Sequence, residues 1–155
     1  MAIKASTTIP WLCRFFLLYL EPFCALGGVF LALFKPGDYL STMTRENLTS
    51  IQPASHFIYT ELAGGWLHFA FTEAVVLRLV DDVRVWRLLC IGMLLSDVLY
   101  LHSAAEALGG WAEYAKLAEW TVQDWVVTLS TLPFLLTRVG IVLGILGNER
   151  SLKKE

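Results

Sequence analysis

The chain has 155 residues, of which 56% are hydrophobic and only 17% charged, with a formal net charge of −2. Its mean hydropathy is +0.58 and its pI about 5.9, whereas a soluble domain is about 45–50% apolar and about 25% charged. This composition points to a single membrane domain and gives no basic patch for nucleic acid and no Lys/Arg-dense run for anionic lipid.

The first apolar run, Trp11 to Phe34, is longer than the core of a cleaved signal peptide and contains Arg14 and Glu21, so it reads as a permanent span. Pro22 removes a backbone donor and frees the carbonyl of Leu18, predicting a kink beside Glu21. Lys35-Pro36-Gly37-Asp38 then stops the helix with turn residues. Asn47-Leu48-Thr49 is a glycosylation sequon in the loop that follows.

A second span is expected at 57–80, a tight hairpin at Asp81-Asp82, a third span at 83–103 and a fourth at 122–147. Each reaches the roughly 20 residues needed to cross a core of about 30 Å. Between the third and fourth, Leu108, Trp111, Leu117 and Trp120 mix with Glu106, Glu113 and Glu119, predicting a short interfacial helix. The expected architecture is therefore an all-α, four-helix transmembrane bundle. Lys4, Arg14, Arg78, Arg84, Arg87, Arg150, Lys153 and Lys154 fall on one side; Lys35, Arg45 and Lys116 fall on the other. The positive-inside rule then places both termini in the cytosol. Gly140 and Gly144 form a GxxxG pattern, a close-packing face within the bundle or a homodimer seam. Pro133 frees the carbonyl of Leu129, with Thr128, Ser130 and Thr131 at hand.

The chemistry rests on ionisable groups inside these spans, which are costly in hydrocarbon and mark interior sites. Counted from the cytosolic end of each helix, Glu21 lies ~15 Å deep, Glu73 ~10 Å and Arg138 ~13 Å. One guanidinium layer between carboxylates is expected, with Arg14 in reach from below. Asp97, ~20 Å deep, is expected in an upper layer with Trp66, His68, Tyr100, His102 and Asp124. Cys13, Cys24 and Cys90 have no paired or metal-ligand spacing and read as packed thiols. No HExxH, GxSxG, P-loop or CxxC pattern occurs, so the expected chemistry uses neither metal nor cofactor.

Three stretches carry a resemblance. They are Leu17-Leu18-Tyr19-Leu20-Glu21-Pro22 running on to Phe34-Lys35-Pro36-Gly37-Asp38-Tyr39-Leu40; Glu73-Ala74-Val75-Val76-Leu77-Arg78 with Asp82-Val83-Arg84-Val85-Trp86-Arg87 and Asp97-Val98-Leu99-Tyr100-Leu101-His102-Ser103; and Trp120-Thr121-Val122-Gln123-Asp124-Trp125. Together they resemble a family of small fungal four-helix membrane proteins, some encoded beside secondary-metabolite genes. The resemblance implies an endomembrane protein serving a biosynthetic pathway and supplies no catalytic residue. In architecture alone the chain is similar to sterol isomerases and membrane meroterpenoid cyclases, whose motifs it lacks.

The functional expectation is a membrane-embedded cyclase or isomerase acting by proton transfer on a lipophilic, terpenoid-like or polyketide-derived intermediate. Burial favours the neutral acid, so Glu73 or Asp97 would protonate an alkene or epoxide, and Glu21 or Asp124 would take a proton back. Trp66, Tyr100 and Trp125 would stabilise a cation by their π faces, and His68, His102 and Arg138 would complete the lining. The alternative is a non-catalytic scaffold or carrier for such a pathway.

Overall fold

A computed structural model describes residues 3–146. The described residues are helical with no strand. A helical turn, Ala5–Thr8, leads into α1, Trp11–Phe34. Next comes α2, Pro36–Met43. The rod α3 runs from His56–Phe71 through a π-helical turn, Thr72–Val76, into Leu77–Leu79. It is followed by α4, Val83–Ala107, and the single turn α5, Trp111–Tyr114. The last rod is split into α6, Val122–Leu129, and α7, Leu132–Val142.

Three stretches are long and apolar enough to cross a membrane: Trp11–Phe34, Val83–Ala107 and Val122–Val142. Buried residues make up only 22%, 28% and 44% of their most apolar windows. Much of the surface left exposed is apolar, with Phe23 at 75% exposure and Leu88 at 69%, whereas Glu73 and Arg138 are fully buried. A water-soluble protein does not expose apolar surface on this scale; a polar interior inside an apolar shell suits lipid. The rod 56–79 is as long as α1 but is not among the three, since His68, Glu73 and Arg78 dilute its inner half.

α1 packs along α3, and α4 along α7. Leu17, Leu77, Val83, Trp86, Cys90, Met93, Phe134 and Ile141 form the main apolar core, and Met43, Ala104, Ala105, Tyr114 and Val127 a second one. The N-terminal segment is tied to the start of α4: the Val83 N–H donates to the Ile3 carbonyl at 2.9 Å, and Ala5 and Ile9 are buried in the main core. Asp82 caps α4, its carboxylate accepting from the Arg84 N–H at 2.8 Å. Asp82→Ala is expected to cost about 1 kcal/mol, read as a lower unfolding midpoint in mixed micelles.

Several sequence expectations are corrected. Lys35-Pro36-Gly37-Asp38 ends α1, but it also starts α2: Lys35 turns the chain with φ −140° and Pro36 stands where a helix needs no N–H donor. Gly37 allows the following loop to close, since a Cβ there would lie 2.7 Å from the Thr49 carbonyl oxygen. α4 runs four residues past the expected end at Ser103, to Ala107. The segment after it holds only α5 and a 3₁₀ turn, Leu117–Glu119. The last rod stops at Val142, short of Gly147, which lies outside the described residues with Arg150, Lys153 and Lys154. Gly144 takes φ +72°, and Leu146 folds back so that its N–H donates to the Gly140 carbonyl at 2.9 Å. Gly140 is covered by Leu146 of its own chain, where a Cβ would meet Leu146 Cδ1 at 2.6 Å. Gly140 and Gly144 therefore do not share one helical stripe.

Candidate functional site

The site begins with two local departures from α geometry. Residues Phe16–Leu20 of α1 form a π-helical turn, and the Glu21 N–H donates to the Phe16 carbonyl at its end. The π turn Thr72–Val76 of α3 contains Glu73, and the two turns pack against each other. A π turn inserts one residue per helix and re-aims the side chains around it. Pro22 supplies a cause in α1, because Leu18 loses its i+4 donor. The freed carbonyl is taken by Arg78, whose Nη2 donates to it at 2.6 Å while the guanidinium lies 4.1 Å from the Tyr19 ring centroid. Arg78 thus repairs the backbone that the proline leaves open.

Above this pair of turns, Arg138 of α7 sits among three carboxylates from three other rods. Its Nη2 lies 2.6 Å from Glu21 Oε2 and 2.5 Å from Glu73 Oε1, and its Nη1 lies 2.6 Å from Asp97 Oδ2. The Phe69 ring covers the guanidinium at 4.7 Å. The expected Glu21–Glu73–Arg138 layer is present, and Asp97 belongs to it too. Assigning Asp97 to an upper layer assumed that all helices start at one level and that the last one runs to Gly147; α7 ends at Val142, and Arg138 meets Asp97 of α4 directly. Arg14 does not join the layer; it lines a separate cleft with Ser6 and Asp81.

A half-open cleft of about 110 Å³ adjoins the cluster. Glu21 and Asp97 form its acidic wall, with Trp66, Phe69 and Tyr100 as its aromatic one. Ser96, Ser130, Thr131 and Cys24 also line it. Glu73 and Arg138 are fully buried and, against expectation, do not line the cleft. The break between α6 and α7 brings Ser130 and Thr131 to the wall; both hydroxyls donate to the Val127 carbonyl at 3.1 Å. Thr128, expected to help there, instead pairs with the Tyr114 hydroxyl at 2.7 Å. The Trp66 indole is seated directly on Gly28 of α1, where any Cβ would overlap the ring. The Trp66 ring centroid is 5.4 Å from Tyr39 and 6.2 Å from Tyr100, edge to face. Tyr39, on α2 outside the spans, has its phenol pushed up to about 12 by burial and then by the neighbouring Tyr59.

The other sequence candidates lie elsewhere. Asp124 is buried, but its Oδ2 accepts from the Thr121 N–H at 2.7 Å, the Thr121 hydroxyl at 3.0 Å and Arg45 Nε at 2.8 Å. It closes a capping box at the start of α6 and ties in the 44–47 loop. His68 is exposed on the outer face of α3. His102 is exposed too, accepting from Trp111 Nε1 at 3.2 Å. Trp125 is nearly half exposed and packs on Trp120 at 4.7 Å. Of the residues lining the cleft, Cys24, Ala25, Phe69, Ser96, Ser130 and Thr131 were not among the expected site residues. Phe69 stands one helical turn before Glu73 and Ser96 precedes Asp97, the only sequence signals for either.

No curated protein and no solved structure matches the chain. A family model described as a domain of unknown function, DUF7704, matches residues 6–148, which is most of the chain. The chain belongs to that family.

Proposed function

We propose that this protein is a membrane-embedded isomerase or cyclase that moves a proton on the end of a lipophilic molecule held in the cleft between α1, α3, α4 and the α6–α7 break. The observation that carries this reading is the meeting of Glu21 and Asp97 with an aromatic wall at one cleft. Both acids are tethered to Arg138, which fixes their geometry. The cluster has three carboxyl groups to one guanidinium. A low-dielectric interior tolerates little net charge, so an electroneutral cluster carries exchangeable protons. In the reaction, the acid on one wall gives its proton to an alkene carbon, breaking the π bond, or to an epoxide oxygen, breaking a C–O bond and leaving a hydroxyl. The π faces of Trp66 and Tyr100 stabilise the cation that forms. The facing carboxylate removes a proton from the neighbouring carbon, returning the site to its starting charge. Glu73, out of the cleft, sets the charge balance of Arg138.

Cleft volume narrows the substrate. A cavity of about 150 Å³ takes up benzene, so about 110 Å³ encloses less than one such ring and admits only the reacting end of a terpenoid-like or polyketide-derived chain. The remainder lies in the bilayer, which the half-open shape permits. In this reading the rod 56–79 forms a fourth span, both termini face the cytosol, and the protein resides in the endoplasmic reticulum.

The test is conversion of candidate lipophilic intermediates by microsomes carrying Asp97→Asn or Glu21→Gln. Turnover is expected to fall at least about 100-fold at unchanged protein level in one or both; undiminished turnover in both overturns the assignment. A second reading, a non-catalytic scaffold or carrier, draws on the same ion pairs as an interhelical brace. It predicts that those variants lower protein abundance instead.

A further inference from the structure

A second cleft, of about 190 Å³, opens where α1 begins and α3 ends. It is lined by Ser6, Arg14, Leu18, Leu77, Arg78, Asp81 and Trp86. Arg14 is the fourth residue of α1, and Arg78 is the last but one of Leu77–Leu79. Both guanidiniums therefore sit at the edge of the apolar belt, with Leu18, Leu77 and Trp86 on its inner side.

The two arginines are used differently. Arg78 commits Nη2 to the Leu18 carbonyl, and a guanidinium has further N–H donors to offer. Arg14 has its Nε buried with no hydrogen-bond partner. A buried, charged N–H donor without an acceptor is costly, and such groups call for a specific explanation. The acid in the cleft does not provide one. Both Asp81 oxygens are held by Ser6: Oδ1 accepts from its N–H at 2.7 Å and Oδ2 from its hydroxyl at 2.6 Å. These bonds, the hydroxyl first, hold the Asp81 carboxyl below the usual carboxylate range. It remains a fixed single charge facing two guanidiniums. The cleft thus keeps a net positive charge, planar donor forks suited to phosphate and an apolar floor of Leu18, Leu77 and Trp86.

We propose that this cleft binds a phosphate group, seated between Arg14 and Arg78, of the kind carried by an anionic lipid headgroup. The lipid's first methylenes would lie along Leu18 and Leu77. The site is independent of the Arg138 cluster and does not rest on catalysis.

The experiment uses the full chain in neutral detergent with brominated phosphatidic acid or brominated phosphatidylcholine added at equal mole fraction. Binding is read by quenching of tryptophan fluorescence, Trp86 being in the cleft wall, and by the unfolding midpoint. Phosphatidic acid is expected to bind in preference to phosphatidylcholine and to raise the midpoint. Arg14→Gln is expected to weaken that binding at least about tenfold. Arg84→Gln, an exposed charge on the next helix, is expected to leave it unchanged. Should Arg14→Gln not fold, Arg14→Lys keeps the charge but loses the planar fork, and an intermediate affinity supports the site. Displacement of the lipid by inorganic phosphate supports the site and assigns it to a free anion. Equal binding of the two lipids, full binding in Arg14→Gln, or equal loss in Arg84→Gln overturns it.

Discussion

Arg138→Leu is expected to remove most of the folded protein from the membrane. Glu21, Glu73 and Asp97 all direct an oxygen at this one guanidinium within 2.6 Å, and both Arg138 and Glu73 are fully buried. Without it the carboxyl groups of three rods face one another with no cation among them. Breaking a buried pair by removing one partner costs about 3–5 kcal/mol, a large share of a typical stability of about 5–15 kcal/mol. Arg138→Lys recovers only part of the loss, because a point charge cannot offer Nη1 to one helix and Nη2 to two others. The informative variant is the neutral quartet, Arg138→Leu with Glu21→Gln, Glu73→Gln and Asp97→Asn. It has no uncompensated charge, so its abundance is expected to return well above that of Arg138→Leu alone. The measurement is folded protein by fluorescence-detected size exclusion, with thermal midpoints in detergent. Wild-type abundance in Arg138→Leu would show that the ion pairs do not hold the rods together.

What the sequence revealed and what it hid follow from the range of each interaction. The rods were legible because they are set by local apolar runs: Trp11–Phe34 matches its expected bounds, and the rod 56–79 is displaced from 57–80 by one residue at each end. The Arg138 cluster was partly legible because a charge inside hydrocarbon needs a partner, and few were on offer. Its exact membership was not, since the depth of Asp97 depends on how the helices are staggered, a property of tertiary packing. Asp124 is the instructive case. Thr121-Val122-Gln123-Asp124 already spells a capping box, yet its Arg45 partner, 79 positions away, comes from a loop with left-handed backbone at Arg45 and Glu46. α2 was hidden because Pro and Gly mark a turn and a helix start alike. The π turns were hidden because one inserted residue leaves the apolar pattern on either side intact.

Pro22 and Arg78 are expected to be coupled, with the sign of the Pro22 effect depending on Arg78. In the wild type the proline denies Leu18 its backbone partner, and Arg78 supplies a donor from the neighbouring rod at 2.6 Å. Arg78→Met keeps the length of the side chain and much of its packing on Tyr19, but leaves the Leu18 carbonyl without that donor. An acceptor that loses its donor costs up to about 1–3 kcal/mol. Adding Pro22→Ala to Arg78→Met gives Leu18 an N–H at the i+4 position, so the part of the loss that comes from the stranded acceptor is expected to return, less the cost of turning Glu21 that removal of the proline carries in either background. Pro22→Ala alone has a different consequence. The new local bond competes with Arg78 and favours α over π geometry at Phe16–Leu20, turning Glu21 away from Arg138; stability is then lost instead of gained. The four midpoints, measured in one detergent, give the coupling directly. Additive effects would mean that Arg78 acts only as a surface charge and that the π turn has a cause other than the proline.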